Sequence, residues 1–322
     1  MNILVTGGAG FIGSHACKVL AQRGYTPIVY DNLSRGHRHA VRYGPLEIGD
    51  IGDTARLRQV LDRYRPEAVM HFAAFSNVGE SVENPLLYYD NNVGGSAVLL
   101  RTLAEFQPMP VVFSSTAAVY GTPDHVPIPE DHPLRPINPY GASKLFVERM
   151  LGDAGSRLPW AALRYFNAAG CDPDGEIGEE HEPETHLIPL VLRAARDQTP
   201  VKIFGIDYDT PDGTCVRDYV HVLDIAEAHV RALDYLRSGK ESGAFNLANA
   251  NGTSVREIID IAERVTGRSI PVIDSLRRPG DPAALVGSAE RARAVLGWVP
   301  QRSALELQIG DAWNWIRTRN ST

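Results

Sequence analysis

Residues 2–13 read Asn2-Ile-Leu-Val-Thr6-Gly7-Gly-Ala-Gly10-Phe11-Ile12-Gly13. Asn2 to Thr6 is a short apolar run of the kind that forms a buried strand. Phe11 to Arg23 carries helical spacing and is closed by Gly24. The glycines between them at 7, 10 and 13 meet three needs: a tight turn, close backbone approach to a pyrophosphate, and close packing of helix on strand. The helix N-terminus then offers free N–H groups and a positive dipole end to the phosphates. Glycines alone are weak evidence, since turns use them freely. Here a strand precedes, a helix follows, and an acid, Asp31, ends the second strand, Thr26 to Tyr30. A carboxylate at that place accepts hydrogen bonds from the adenosine ribose hydroxyls and repels a 2′-phosphate, which favours NAD over NADP. Arg35 lies nearby and is able to attract that phosphate, so the loop carries opposed signals.

Working outward, short apolar runs alternate with helical patterns. Thr54 to Tyr64 reads as a helix with Thr54 as N-cap, Ala68 to Phe72 as a strand, and Asn92 to Phe106 as a helix. Pro110 to Ser114 and Ala161 to Phe166 are strands. Continuous apolar strands alternating with helices predict a parallel sheet covered on both faces, a doubly wound α/β fold. From about Ala168 the chain is richer in turn residues. There Ser254-Val-Arg-Glu257 and Ser303-Ala-Leu-Glu306 read as capping boxes, and Asp224 as the cap of a third helix.

The length of 322 residues suggests about two domains at ~150 residues each. A net charge of −7 leaves no positive excess for phosphates, so no nucleic-acid partner is expected. Cys17, Cys171 and Cys215 stand far apart and suit reduced thiols better than a disulfide framework. No apolar run reaches the ~20 residues of a membrane span, and no leader pattern precedes Ile3. We expect a cytoplasmic protein without a membrane partner. His37 and His39 lack a third ligand in the sequence and read as solvated loop histidines, so no metal is expected.

Tyr140-Gly-Ala-Ser-Lys144 follows Pro139 at a helix start, which puts the phenol and the ammonium on one face. A lysine beside a phenol stabilises the phenolate and lowers its pKa from ~10, making Tyr140 a candidate base. Ser114-Ser-Thr116 ends a strand at the carboxyl edge of the sheet, where ligands sit, and Thr116 is placed to relay a proton to Tyr140. Tyr-x-x-x-Lys alone occurs by chance in many helices; after a dinucleotide loop it marks the catalytic centre of this chain.

The GxxGxxG spacing after Thr6 resembles the short-chain dehydrogenase/reductase superfamily. Further stretches narrow the likeness: TGGAGFIGSH, YDNL, HFAA, VGESVENPLLYYDNNV, NPYGASK, LRYFNAAG, DGTCVRDYVHVLD and RRPGD, running nearly end to end. By these the chain resembles the UDP-galactose 4-epimerases. The resemblance implies a Rossmann-like fold with a smaller, interleaved C-terminal substrate domain. Residues 1–168 would bind NAD, with returns near 218–248, and residues 169–322 the UDP-sugar.

It also implies a retained NAD and inversion of C4 of a UDP-hexose through a transient 4-keto sugar. Thr116, Tyr140 and Lys144 would be catalytic, with Lys144 also holding the nicotinamide ribose. Beside Gly7, Gly10, Gly13 and Asp31, the residues lining the dinucleotide would be Phe11, Ile12, Asn32, Asp50, Ile51, Phe72, Ala73, Ala74, Asn91 and Tyr165. Asn167, Leu187, Phe204, Arg217, Tyr219, Arg278 and Asp281 would hold UDP, with arginines on the diphosphate. Leu285 would wall the sugar pocket near its 2-position, where relatives with Tyr tend to exclude an N-acetyl group. Two departures stand out: Ser76 where many relatives carry Lys, and His186 where Asn is frequent. A 4,6-dehydratase needs an acid–base pair after the Ser/Thr, and Ala117 and Ala118 cannot supply it. The closest alternative is a 4-epimerase for another UDP-sugar, UDP-xylose/UDP-arabinose or a UDP-N-acetylhexosamine. Relatives pair two long helices into a homodimer, here 92–106 and 140–151.

Overall fold

Seven apolar runs form one parallel sheet in the computed structural model, which describes residues 1–278 and 281–318. Pro279 and Gly280 of the RRPGD stretch lie outside the described residues. The strands are β1 (Asn2–Thr6), β2 (Thr26–Asp31), β3 (Leu46–Ile48), β4 (Ala68–His71), β5 (Val111–Thr116), β6 (Trp160–Tyr165) and β7 (Gly243–Leu247). Their order is β7-β6-β5-β4-β1-β2-β3, all parallel. Strand order reverses at β1, between β2 and β4. Ligands of doubly wound sheets bind in the crevice at such a switch point, outside the carboxyl ends of the strands.

The helices used below are α1 (Phe11–Gln22), α2 (Thr54–Tyr64), α3 (Ser96–Phe106), α4 (Pro139–Ala154), α5 (Leu187–Asp197), α6 (Val222–Arg237), α7 (Val255–Thr266) and α8 (Leu305–Thr318). Successive β1 side chains go to opposite layers, as the pleat requires. Ile3 and Val5 join the core under α1 and α6, whereas Leu4 joins the core under α2 and α3 with Leu57, Leu61, Leu99 and Leu103. Each such buried aliphatic side chain contributes about 1.5–3 kcal/mol. A third core lies among α5, α7 and α8, around Ile188, Leu192, Ile258, Ile309 and Trp315. α6 packs on α1, and β7 extends the sheet beyond β6.

Helix termini differ from the sequence expectation in three places. The N-cap of α2 is Asp53, not Thr54: its carboxylate accepts from the Arg56 N–H at 3.0 Å. The cap of α6 is His221, whose Nδ1 accepts from the Leu223 N–H at 3.0 Å. Asp224 lies within the first turn, buried, and accepts from the Arg302 N–H at 2.8 Å. The helix expected from Asn92 is preceded by a wide π-type turn, Tyr89–Gly95, that runs directly into α3. The Ser254–Glu257 capping box forms as read, both bonds present. Among the described residues no helix is long and apolar enough to cross a membrane.

Candidate active site

The carboxyl ends of the central strands open onto a cleft of ≈ 1750 Å³. Pockets for one drug-sized ligand run to about 300–1,000 Å³, so this cleft has room for two. Its floor is the β1–α1 turn. Gly7 adopts φ +73°, and a Cβ on Gly13 would stand 2.2 Å from the Gly7 carbonyl oxygen. Only glycine fits either place, and the result is bare backbone at the N-terminus of α1. Asp31 closes the far end. Its carboxylate accepts from the Ala9 N–H at 3.0 Å and the Leu33 N–H at 2.8 Å. Burial pushes that carboxyl up, against the pull of these two bonds.

Phe72 and Ala73 are tied to the cradle by N–H bonds to the Thr6 carbonyl, at 2.9 and 3.1 Å. Gly10, Phe11, Ile12, Asn32, Ile51, Ala74, Asn91 and Tyr165 also line the cleft, as does Ser76. Asp50 does not. Its carboxylate turns back on the chain, accepting from Asn32 Nδ2 at 2.7 Å and the Gly52 N–H at 2.8 Å. Asn32, to which it is bonded, and its neighbours Gly49 and Ile51 do line the cleft.

β5 and α4 bring the second group of residues together. Asn138 caps α4, accepting from the Gly141 N–H at 2.8 Å, with Pro139 in the first turn. A Cβ on Gly141 would lie 2.4 Å from the Ala118 carbonyl oxygen, so this glycine lets α4 press against the end of β5. Tyr140 then faces Thr116, whose hydroxyl acts to hold the phenol down. Lys144 is buried, donates to the Ser114 carbonyl at 2.8 Å, and lies 6.0 Å from the Tyr140 ring centroid. Burial brings Lys144 down to about 7, against the opposing pull of Glu148. The sequence leads one to expect a Tyr140 phenol lowered by Lys144. In the structure burial pushes Tyr140 up, opposed by Thr116, while the Lys144 ammonium donates to the Ser114 carbonyl.

Across the cleft, strand register gathers residues distant in sequence. Asn167 pairs with Tyr219 in one small sheet, and Leu285 with Arg217 in another. Arg217 forms an ion pair with Asp281. The Arg278 guanidinium lies 4.0 Å over the Phe204 ring. Leu187 opens α5, and all of these line the same cleft as Tyr140.

The comparisons with known proteins agree with this geometry. Residues 3–248 match the NAD dependent epimerase/dehydratase family. The UDP-glucose 4-epimerase of Rhizobium meliloti (strain 1021) is 53% identical over 322 residues, covering 99% of this chain and 98% of its own. The chain belongs to this family. Among solved structures, the UDP-glucose 4-epimerase from Brucella ovis in complex with NAD superposes with a TM-score of 0.94 at 50% identity, covering 98% of both chains. That from Bifidobacterium longum, in complex with NAD+ and UDP, gives 0.92 at 37% identity, covering 99% of this chain and 98% of its own.

The residues present fit the family's cofactor: a side-chain-free cradle for a pyrophosphate and a carboxylate for the ribose meet in one cleft. This epimerase-family cleft also has a charged wall that the sequence did not reveal. Glu179 is buried between His181, at 3.3 Å, and the His186 imidazole. His181 also lies 3.8 Å from Glu184. Burial acts to raise Glu179, but the two imidazoles outweigh it and hold it low; the carboxylates in turn hold both histidines up. The four side chains thus neutralise one another. His39 is exposed and His37 half-buried, and both meet Glu180. Nε2 of His37 meets the Glu180 carbonyl at 2.9 Å, and Nε2 of His39 meets the Glu180 carboxylate at 2.8 Å. The third group, absent from the local sequence, comes from the GEEHEPETH segment far downstream.

Proposed function

We propose that this chain is a UDP-galactose/UDP-glucose 4-epimerase that works with a retained NAD. The observation that carries the reading is one cleft holding both the Gly7–Gly13 cradle with Asp31 and the Thr116–Tyr140–Lys144 group. The names of its relatives support the same activity. When bound, NAD supplies reversible hydride storage at C4, so the reaction has no net redox change. Tyr140 takes the proton of the sugar 4-hydroxyl, directly or through Thr116, and returns it when C4 is reduced from the opposite face. Lys144 holds the nicotinamide ribose and, when charged, favours the phenolate. Arg217 and Arg278 bind the diphosphate, Asp281 the uridine ribose, and Phe204 with Tyr219 the uracil, with Asn167 and Leu187 beside them.

We further propose a dinucleotide part over 1–168, with 218–248 returning to it, and a UDP-sugar part over 169–322. A cytoplasmic homodimer fits the chemistry and the surface: Leu86 (74% exposed) and Phe146 (44%) lie on neighbouring elements that pack together.

The test is direct. Purified protein given UDP-galactose and no added cofactor should form UDP-glucose, and acid should release NAD(H). Absence of C4 inversion would overturn the activity; release of mostly NADP would overturn the role of Asp31.

Substrate width gives a second expected outcome. Leu285 is apolar and smaller than Tyr, so it leaves room at the 2-position without offering an amide a hydrogen bond. Burying an acetamide unpaired costs ~1–3 kcal/mol, roughly ten- to hundredfold in rate. Activity on the N-acetylated pair should therefore be weak, fall further in Leu285→Tyr and rise in Leu285→Cys. A ratio of the two activities unmoved in both variants would remove Leu285 as the gate.

A further inference from the structure

The loop after β2 carries two residues with opposite cofactor preferences. Asp31 favours a free ribose 2′-hydroxyl, whereas an arginine close by accommodates a 2′-phosphate. Both Asp31 and Arg35 line the cleft. The structure shows how that contradiction is resolved. Nη2 of Arg35 donates to Glu80 Oε1 at 2.6 Å, and the guanidinium lies 5.3 Å over the Phe75 ring. Phe75 and Glu80 belong to the segment that follows β4, on the other side of the switch point.

Glu80 is itself held at both ends. Its backbone N–H donates to the Asn77 side chain at 3.0 Å, capping the short helix Val78–Glu83. Its second oxygen accepts from the Tyr88 hydroxyl at 2.8 Å, and Tyr88 is fully buried. Arg35 therefore meets an acceptor that is already in place, and a planar guanidinium engaged with a carboxylate on its edge and a ring on its face is largely committed. Asp31 and, behind Asn32, Asp50 add carboxylates at this end of the cleft, and Arg38 stands three residues beyond Arg35 in the same loop. His37, in the same loop, is bonded through Nε2 to the Glu180 carbonyl, at 2.9 Å.

We propose that Glu80 is a cofactor-specificity residue: by engaging Arg35 it removes the one guanidinium of this loop placed to receive a 2′-phosphate, and so keeps the site for NAD. Asp31 repels the phosphate, and Glu80 denies it a partner. The proposal rests on the reading of Asp31 as the ribose-binding acid, and it is independent of the sugar chemistry.

The experiment reads the NADP:NAD ratio released by acid from purified full-length protein, with no assay of epimerisation. The variants are Asp31→Ser, Asp31→Ser/Glu80→Gln, Asp31→Ser/Arg35→Gln and the triple variant. Glutamine keeps an acceptor for Tyr88 and gives up the charge that binds Arg35. Adding Glu80→Gln to Asp31→Ser should raise the ratio roughly tenfold, the scale of one charge-assisted hydrogen bond. The same change without Arg35 should leave it within about twofold, inside the spread of a surface-charge effect. An equal rise with and without Arg35, or no rise at all, overturns the proposal. If the Asp31→Ser proteins carry no nucleotide, the comparison passes to Glu80→Gln against Glu80→Gln/Arg35→Gln with Asp31 intact. There a smaller rise, dependent on Arg35, is expected, and its absence is equally decisive. An Asp31→Ser protein that holds NAD as the parent does, with no gain in NADP, would remove the reading of Asp31 instead.

Discussion

Tyr140→Phe should lose at least ~100-fold in turnover, the lower range for removal of a general acid–base group. The phenol oxygen is the only atom removed, so packing at the start of α4 and the Gly141 approach to Ala118 persist. NAD and UDP should still bind, since the cradle, Asp31 and the far wall of the cleft are untouched. The loss should therefore fall on kcat, with little change in KM or in released nucleotide, because an interaction used only in the transition state is gone. Turnover within a few-fold of the parent would sink the assignment of Tyr140.

Behind Lys144, one turn along α4, lies the other large expected effect. Glu148 and Arg164 are both buried and form a bidentate pair, at 3.0 and 2.6 Å. The Ser115 hydroxyl also donates to Glu148, and Arg164 donates to the Tyr120 hydroxyl at 2.9 Å. Removing one partner of a buried pair leaves the other charge unpaired and costs about 3–5 kcal/mol. Glu148→Ala should lower folding stability by that amount, read as a shift of the denaturant midpoint. Glu148→Leu/Arg164→Met should recover most of it, because no charge is then left buried. A single-variant loss below ~1 kcal/mol would mean that water or a new partner reaches Arg164.

What was legible in the sequence was local. The β1–α1 turn, Asp31 at a strand end and Tyr140 four residues before Lys144 are short-range patterns whose geometry follows from strand and helix periods. Capping was legible at Ser254 and Glu257, where both bonds of the box form, whereas at the similarly patterned Ser303–Glu306 stretch the helix opens only at Leu305. At α2 and α6 a single polar residue had to be chosen, and the true caps lie one and three residues earlier, at Asp53 and His221. Spacing could not tell which bonds the Asp50 carboxylate makes, because a loop carboxylate is free to turn back on its own chain, here to Asn32 and Gly52. The charged wall was hidden for another reason. Glu179, His181, Glu184 and His186 stand within one turn-rich segment, and without a helix or strand period nothing in the spacing says that their side chains converge. His39 meets Glu180 only through the packing of two distant loops. Spacing likewise reports which face Tyr140 and Lys144 share but not which atom the ammonium turns toward, here the Ser114 carbonyl.

The position of β7 bears on how the chain is made. Until residues 243–247 leave the ribosome, β6 is an open edge strand of an otherwise finished sheet, its backbone donors and acceptors available to any neighbouring nascent chain. The same interval leaves the α1 face of the sheet without α6. Synthesis at about 5–20 residues per second makes this exposure last several seconds, much longer than the time in which a helix or hairpin forms. Helix α5 is made within that interval and α7 and α8 after it, so the core these three share has to wait as well. A chain threaded this way commits late, and the protection of its sheet edge is a debt carried from the making of β6 to that of β7.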